Sequence, residues 1–279
     1  MRKIITEELK RNIKDYYQSR PMTIGEVCKE FSLSSPTILK ILNGIPKYSK
    51  TKIYNPELDE DFFSSIDTES KAYFLGLFIS DGNIFDPSNS KHPGQKWVSI
   101  TLQTDDSYIL QNFKDDIKAT TKISEDGRGS SYIAIRSNKM ADDLEKYGVI
   151  PQKSFKTRFP FEVDKKYYRH LIRGIIDGDG SIQTYWHTPK DGRKRFKHSI
   201  SCCGTHRLMS EMIDVITKEL KLEFKPVVYD YKNRTLSEFK VTNINDMLKF
   251  GNWLYDKSNI YLYRKKDNYD MFLNRYKLV

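Results

Sequence analysis

One pattern of residues occurs twice in this chain and constrains its fold more than any other feature. The first copy covers residues 74–82 and the second covers residues 172–180. Each copy is mostly apolar, ends in Asp-Gly and carries small residues four positions apart. These small residues are Gly76 and Ser80 in the first copy, and Gly174 and Gly178 in the second. Positions i and i+4 of an α-helix share a face, so each copy presents a smooth stripe that another backbone can approach closely. We therefore expect two helices packed side by side along these stripes.

Side-by-side packing would bring the C-terminal ends of the two helices together. Asp81 and Asp179 would then be neighbours, and two carboxylates held close together form a site for a divalent cation such as Mg²⁺. The backbone carbonyls of Ser80 and Gly178 would add oxygen ligands. The alternative is that each Asp merely ends a turn before a strand, because Asp-Gly is a common turn sequence.

The two copies resemble the paired motifs of the LAGLIDADG homing endonucleases. The matching residues are Gly76, Leu77, Asp81 and Gly82 in the first copy, and Gly174, Ile176, Asp177, Asp179 and Gly180 in the second. The resemblance covers about residues 58–279. It implies an endonuclease that acts as a monomer on a long, asymmetric site in double-stranded DNA. It also implies cuts in both strands across the minor groove, with Mg²⁺ or another divalent cation such as Mn²⁺ as cofactor.

The chain departs from the family motif at one position. The earlier acidic residue of the motif is Asp177 in the second copy but Ile79 in the first. The resemblance assigns metal binding to the later aspartate of each motif. We therefore interpret Asp177 as a structural residue and do not interpret Ile79 as a sign of lost activity.

The residues after each copy repeat the same order of elements. Residues 97–103 alternate between apolar and polar side chains, as a half-buried strand does, and residues 199–203 match them. A helix over residues 139–147 would be closed by Gly148, and residues 245–250 with Gly251 match it. We therefore predict an α+β fold. It would contain two pseudo-symmetric αββαββα repeats that form a saddle of two antiparallel sheets, and a small all-α domain at the N-terminus. The predicted boundaries are residues 1–44 for the N-terminal domain, 45–57 for a linker, 58–160 for the first repeat and 161–279 for the second.

The N-terminal segment has the signals of two short helices joined by a tight turn. Thr23 and Glu26 form a capping box, and Pro36 suits the first turn of the next helix. The segment resembles the helix-turn-helix of many bacterial DNA-binding proteins, in which case Ser35, Thr37 and Lys40 would face the major groove. The alternative is a plain helical hairpin. In the linker, Lys47 and Lys50 would lie near DNA phosphates, or belong to a solvated tether.

Other residues could assist a metal site or contact DNA. The resemblance places a polar residue near the metals at Gln103, although the matching position of the second repeat is Cys203. It also suggests that Lys153 and Lys257 form a basic pair that orders water. Arg136 and Lys240 lie in equivalent strands. For these five residues a role at the surface or on the DNA backbone is an equal alternative. The candidates for base or phosphate contacts in the loops and sheets are Gln95, Lys96, Arg193, Arg195 and Lys197.

Composition favours a polyanionic partner. The 279 residues carry a formal net charge of +10, and 13% of them are aromatic. Double-stranded DNA is therefore the expected partner. The three Cys residues have neither disulfide nor zinc spacing. We expect a soluble intracellular protein, cytoplasmic or organellar, because no apolar run has the length of a transmembrane helix or of a signal peptide.

A second class of function remains open at this point. A chain of the same fold could bind DNA or RNA without cutting it, as a transcription regulator or an intron maturase. A helix-turn-helix repressor with an unrelated ligand domain is a further alternative. The presence of both Asp81 and Asp179 favours the endonuclease, although a maturase can also retain both residues.

Overall fold

The fold was analysed in a computed structural model, which describes residues 5–48, 55–87, 94–151, 156–231 and 236–276. The chain divides into two compact units. The smaller unit contains residues 1–59 and 118–120, and the larger unit contains residues 60–117 and 121–279.

Three short helices form the smaller unit: α1 (Glu7–Ser19), α2 (Ile24–Phe31) and α3 (Ser35–Ile41). The predicted capping box at the start of α2 is present, because Thr23 N donates to Glu26 Oε2 at 2.6 Å and Glu26 N donates to Thr23 Oγ1 at 3.1 Å. Each pairing satisfies a backbone donor that the first turn of a helix leaves without a partner. The core of this unit is formed by Ile13, Tyr17, Met22, Val27, Ile38, Ile41 and Leu42. Its role in DNA reading remains a prediction.

The larger unit contains two repeats with the same order of elements. The elements of the first repeat are α4 (Glu69–Ser80), β1 (Gly82–Phe85), β2 (Trp97–Gln103), α5 (Ser107–Asp116), β3 (Ser124–Glu125), β4 (Ser130–Arg136) and α6 (Asn138–Lys146). Those of the second are α7 (Tyr168–Asp179), β5 (Gly180–His187), β6 (Arg195–Gly204), α8 (His206–Leu220), β7 (Val228–Asp230), β8 (Ser237–Val241) and α9 (Ile244–Tyr255). A further helix, α10 (Tyr263–Tyr276), follows the second repeat.

Each repeat builds one four-stranded antiparallel sheet, in the orders β1-β2-β4-β3 and β5-β6-β8-β7. The strands alternate between buried and exposed residues, as expected when one face of a sheet covers a core. The strand over residues 97–103 matches the predicted one. The predicted α+β class with two αββαββα repeats is therefore confirmed.

The two helices that carry the repeated pattern, α4 and α7, pack directly against each other, and we call them the motif helices. A Cβ atom added to Gly76 would lie 2.1 Å from the Leu171 carbonyl oxygen. A Cβ atom added to Gly174 would lie 2.1 Å from the Tyr73 carbonyl oxygen. Both distances are far shorter than van der Waals contact, so the two backbones touch where the sequence provides glycine. The packing predicted from the small-residue stripes is present.

The C-terminal part of the second repeat differs from the prediction in two ways. The helix predicted to close at Gly251 continues to Tyr255. Gly251 instead lies beneath the ring of Tyr269, because an added Cβ would be 2.0 Å from Tyr269 Cε2. In the first repeat, Gly148 follows α6 with a left-handed φ of 87°, as predicted. A further helix that the repeat pattern does not predict, α10, packs on β5, where Thr184 donates to the Asn268 carbonyl at 2.9 Å.

Among the helices that the structure describes, none is both long enough and apolar enough to cross a membrane.

Substitution of Gly76 by alanine should destabilise the larger unit by about 3 kcal/mol, because the added methyl group would overlap the backbone of α7. The matched control is Gly25→Ala in α2, where the nearest atom to an added Cβ lies 3.7 Å away. Chemical denaturation of both variants measures the difference. If Gly76→Ala unfolds at the wild-type denaturant concentration, the close contact of the motif helices is wrong.

Candidate active site

The last turns of the motif helices meet at their C-terminal ends. Asp81 follows α4 and its N–H donates to the Leu77 carbonyl at 2.9 Å. Asp179 is the last residue of α7, and its side chain is exposed. A Cβ added to Gly178 would lie 1.9 Å from Ser80 Oγ and 2.6 Å from Asp81 Oδ2. The carboxylate of Asp81 therefore rests against the backbone of the residue that precedes Asp179.

The donor atoms at these helix ends suit a hard divalent cation. They are carboxylate oxygens of Asp81 and Asp179, together with the backbone carbonyls of Ser80 and Gly178 as candidates. Within the described ranges, no group of three or more His, Cys, Asp or Glu side chains could hold a metal ion. Mg²⁺ is commonly bound through one or two protein carboxylates, with water and substrate phosphate completing its six ligands. The set of donors therefore fits an ion that is shared with a phosphate substrate.

A buried lysine lies at the end of α7. Lys265, in the first turn of α10, is 4% exposed, and its ammonium group contacts four backbone carbonyls. The distances are 2.7 Å to the Ile176 oxygen, 2.5 Å to that of Asp177, 3.4 Å to that of Gly178 and 2.7 Å to that of Gly180. The last carbonyls of a helix lack intrahelical partners and carry partial negative charge. Lys265 thus supplies both hydrogen bonds and positive charge beside the two aspartates.

Contacts with the first repeat fix the start of α10. Arg264 pairs with Asp106 at 2.9 Å, and Tyr263 N donates to the Tyr108 hydroxyl at 2.7 Å. The rings of Tyr108 and Tyr263 stack with their centroids 4.4 Å apart. The backbone that carries Lys265 is therefore held by the first repeat while its ammonium binds the second.

Lys265 is not among the predicted site residues, although the sequence carries a signal for it. Leu262, Lys265, Tyr269 and Phe272 recur at spacings of three and four, and all four are buried. A lysine on the apolar face of a helix is rarely buried without a partner. Burial lowers the pKa of Lys265, and the negative charge of Asp177 acts in the opposite direction.

Asp177 is buried between the motif helices and α10. It accepts hydrogen bonds from the Tyr73 hydroxyl at 2.9 Å, the Tyr255 hydroxyl at 3.3 Å and the Leu262 N–H at 2.8 Å. Burial raises its pKa, whereas Lys265 and the Leu262 N–H act to lower it. These contacts join α4, α7, α9 and the residue that precedes α10, and a structural role for Asp177 is consistent with them.

A second buried charge cluster joins the first turn of α4 to the middle of α7. Arg173 is fully buried, and it donates to the carbonyls of Ile260 at 2.8 Å and Leu254 at 2.9 Å. It also pairs with Glu69 at 2.6 Å. Asn259 donates to both carboxylate oxygens of Glu69 at 2.9 Å. The loop after α9 is thereby attached to the helix pair.

The structure does not bring Lys257 to the two aspartates. Lys257 lies directly after Asp256, whose carbonyl accepts a hydrogen bond from Arg169 in the first turn of α7. That turn is about 15 Å along the helix axis from Asp179, at a rise of 1.5 Å per residue. The lysine whose ammonium group contacts the backbone around Asp179 is Lys265, and a role for Lys257 at the aspartates remains a prediction. Lys153, the predicted partner in the first repeat, lies outside the described residues.

The two strand positions matched in the sequence differ in their surroundings. Gln103 ends β2 and is exposed. Cys203 is half-buried and lines a cavity of about 240 Å³ with Asp179 and Ser80. Burial raises the pKa of the Cys203 thiol, and the carboxylates of Glu238 and Asp179 raise it further. A thiol with a raised pKa remains protonated at neutral pH and is a poor nucleophile.

Most of the predicted contact residues of the sheets and their loops are exposed. Arg193, Arg195, Lys197 and Lys240 are exposed, and Arg136 stacks its guanidinium 4.0 Å from the ring centre of Trp97. Among these exposed cations Arg195 pairs with Asp191, and the less exposed Lys96 forms ion pairs of 2.8 Å with Asp142 and Glu145. Hydrogen bonds to these carboxylates raise the pKa of Lys96 and balance its charge within the protein. Gln95, next to it, is half-buried.

In the N-terminal unit, the predicted contact residues are largely exposed. Ser35, Lys40 and Lys47 are exposed, and Thr37 is half-buried, with its hydroxyl 2.8 Å from that of Ser34. Lys50 lies outside the described residues. The orientation of these side chains toward DNA remains a prediction.

Comparisons with known proteins identify the fold. No protein-family model matches the chain. A DNA-directed RNA polymerase subunit, Rpo1C of Methanocaldococcus jannaschii, is 26% identical over 134 residues, which cover 46% of this chain and 13% of that protein. The chain thus spans a small part of that relative.

Solved structures match a much larger share of the chain. The LAGLIDADG homing endonuclease I-SmaMI bound to cleaved DNA matches with a TM-score of 0.54 and 12% sequence identity. The match covers 75% of this chain and 89% of the I-SmaMI chain. The meganuclease I-AabMI bound to uncleaved DNA matches with a TM-score of 0.54 and 13% identity, over 76% of this chain and 91% of its own. I-SmaMI bound to its uncleaved target in the presence of calcium ions matches with a TM-score of 0.51. The chain has the LAGLIDADG homing endonuclease fold, as the resemblance of the two motifs implied.

The free energy of unfolding should decrease by about 2 kcal/mol as the pH falls from 6.5 to 4, because of His170. Burial lowers the pKa of His170 to about 4, and the positive charges of Arg173 and Arg169 act in the same direction. Below pH 6.5 the unfolded chain binds a proton at this residue that the folded chain does not bind until about pH 4. The contribution is therefore fully present above pH 6.5 and is lost as the pH falls.

Urea denaturation at several pH values measures this effect, and His170→Gln is the control that removes the titrating group. The pH dependence of the variant should be shallower than that of the wild type over this window. Parallel curves for the two proteins would contradict the assignment to His170.

Proposed function

We propose that this chain is a metal-dependent endonuclease that cuts both strands of double-stranded DNA at a long, asymmetric site. The observation that carries the proposal is the meeting of Asp81 and Asp179 at the paired ends of the motif helices, with Gly178 in contact with Asp81. Each repeat contributes one carboxylate there, which suits a reaction on two strands by one chain.

The proposed site has a defined division of roles. Asp81 and Asp179 would hold divalent cations, with the carbonyls of Ser80 and Gly178 as further ligands. When bound, such an ion acts as a Lewis acid on a phosphodiester oxygen and activates water for attack. Gly178 keeps the carboxylate of Asp81 close to the backbone of α7, because a side chain at this position would displace it. Gln103 is an exposed amide that would hold water near the phosphate.

Lys265 would maintain the geometry of the second aspartate. Its ammonium group binds the carbonyls of three of the last four residues of α7 and that of Gly180, on both sides of Asp179 in sequence. The backbone around Asp179 is thus fixed, while its carboxylate remains exposed for a ligand. The buried positive charge also reduces the repulsion between the two aspartates and a phosphate group.

Double-stranded DNA is the proposed partner. The net charge of +10 and the exposed cations of the second sheet support binding to a polyanion. The solved structures of the same fold named above contain DNA. Because both motifs lie in one chain, a monomer would contain a complete pair of aspartates. The two repeats differ in sequence, so each would bind a different half-site.

We further propose that the N-terminal unit contacts DNA as a helix-turn-helix. Its second and third helices are short and joined by the turn at Ser32, which has a left-handed φ of 52°. The exposed side chains of Ser35 and Lys40 on α3 suit contacts to bases or phosphates. A tethered second module would lengthen the bound site.

The first experiment is cleavage of a plasmid library of random sites with Mg²⁺, in which the wild type is compared with Asp81→Asn and Asp179→Asn. The wild type should make double-strand cuts at one long site. Each variant should cut at least a hundredfold more slowly, because a neutral amide is a weaker metal ligand, and activity should require the divalent cation. Retained DNA binding by the variants is the control for folding.

Binding of duplex DNA by the wild type without any cutting would contradict the endonuclease and favour a transcription regulator. Preferential binding of structured RNA would favour a maturase. Equal cleavage by the wild type and both variants would place the active site elsewhere.

Lys265→Met should reduce both stability and cleavage. The substitution removes the ammonium group that four carbonyls contact. The free energy of unfolding should fall by about 3 kcal/mol, which is comparable to the effect of removing one partner of a buried ion pair. Lys257→Met is the matched control, because it removes an exposed lysine at the far end of α7. Denaturation curves and single-turnover cleavage rates test both variants. If Lys257→Met loses cleavage and Lys265→Met retains it, the assignment is wrong.

A further inference from the structure

The exposed faces of the two sheets carry different kinds of side chain. In the second sheet, the pairing of β5 with β6 places Tyr185 opposite Lys197 and His187 opposite Arg195. The pairing of β6 with β8 places Lys240 opposite Ser201. These residues lie on the face opposite to Ile182, Ile200 and Phe239, and all of them except the buried Ser201 are exposed. The same face carries one carboxylate, Glu238, which lies opposite Cys203. Arg195 also pairs with Asp191, but both side chains are exposed, and an exposed ion pair is weak. The cations outnumber the carboxylate, so this face of the second sheet is basic.

In the first sheet, the same face is mostly uncharged. The pairing of β1 with β2 places Asn83 opposite Ser99 and Phe85 opposite Trp97, and β4 places Tyr132 opposite Thr101. The cation on this face within the described strands is Arg136, whose guanidinium is stacked on Trp97. The other side chains are amides, hydroxyls, aromatic rings and the methyl group of Ala134.

We infer that the two repeats read half-sites of different base composition: A·T-rich sequence by the first repeat, and sequence with several guanines on one strand by the second. The inference rests on the proposed function and specifies the substrate of the same DNA-binding surface. It assigns Arg195, Lys197 and Lys240 as residues that determine specificity.

The chemistry of the base edges supports this assignment. Guanine presents two acceptors, O6 and N7, in the major groove, and Arg and Lys are their usual partners. Asn and Gln form paired hydrogen bonds with adenine, and apolar side chains contact the methyl group of thymine. Asn83, Phe85 and Tyr132 therefore suit A·T pairs, whereas the cations of the second sheet suit guanine.

The spacing of these cations also fits DNA. Lys197 and Ser201, which lies opposite Lys240, are four residues apart on β6, a distance of about 13 Å. This equals about four base pairs at a rise of 3.4 Å. Arg195 lies two residues, or about two base pairs, further along the strand. A strand that follows the groove would therefore place the three side chains over about six base pairs.

The direction of the strands predicts the order of the contacts. Gly180, which follows Asp179, pairs with Cys202 on β6. The position of Lys240 is thus nearest to the ends of the motif helices, Lys197 is farther away, and Arg195 is the farthest. The guanine that depends on Lys240 should lie closest to the cut, and the one that depends on Arg195 should lie at the outer edge of the half-site.

The experiment is repeated selection of bound duplexes from a fully randomised library, with the cleavage-deficient chain that carries both Asp81→Asn and Asp179→Asn. The selected sites should have one A·T-rich half and one half with guanines on one strand. Selection is then repeated with Arg195→Gln, Lys197→Gln and Lys240→Gln. Each variant should relax the preference for guanine at one position of the second half-site and weaken binding to the selected site about tenfold. The relaxed position should be at the outer edge for Arg195→Gln, nearer the centre for Lys197→Gln, and nearest the centre for Lys240→Gln.

Asn83→Ala in the first repeat is the matched control, and it should relax an A·T position in the other half. Two halves of equal base composition would overturn the inference while leaving DNA binding intact. Uniform weakening on all sequences by the lysine and arginine variants would also overturn it, because the cations would then contact phosphates. Failure to select any site would instead overturn the proposed function, and this inference with it.

Discussion

The direct contact between the backbones of α4 and α7 is the constraint on which the larger unit depends. Gly76 and Gly174 allow the two helices to touch along their central turns, and Gly178 extends the contact to Ser80 and Asp81. A side chain at any of these glycines would overlap atoms of the other helix. The position of each aspartate is therefore a consequence of how close the helices are, and each repeat depends on the other for the geometry of its own motif.

Two buried basic residues attach this helix pair to the later part of the chain. Arg173, in the middle of α7, binds Glu69 at the start of α4 and the carbonyl of Leu254 in α9, and Lys265 binds the last carbonyls of α7. A buried cation is tolerated when its hydrogen bonds and charge are satisfied, and loss of one partner is costly. The segment from Asp256 to Leu262 runs from one end to the other, which explains why Lys257 and Lys265 lie near opposite ends of α7.

The sequence predicted those features that depend on local spacing. Three such features are present in the structure: the small-residue stripes, the capping box of Thr23 and Glu26, and the alternation of residues 97–103. Each of these patterns is complete within a few neighbouring residues of the sequence. The prediction that Gly251 ends a helix is wrong, because glycine occurs both at helix ends and where another group packs closely on a helix. The group that packs on Gly251 is the ring of Tyr269, which is distant in sequence. The paired state of Lys96 depends on Asp142 and Glu145, which lie more than 40 residues later.

The position of Lys265 late in the chain has a consequence for how the protein acquires its site during synthesis. Both motif helices and both sheets precede α10 in the sequence, so the ribosome releases them first. Until α10 emerges from the ribosome, the last carbonyls of α7 lack their contacts with the Lys265 ammonium group, and Asp106 lacks its ion pair with Arg264. A nascent chain can therefore pair its motif helices before the surroundings of Asp179 are complete. The contacts that hold the backbone around Asp179 thus form only after both motif helices have been synthesised.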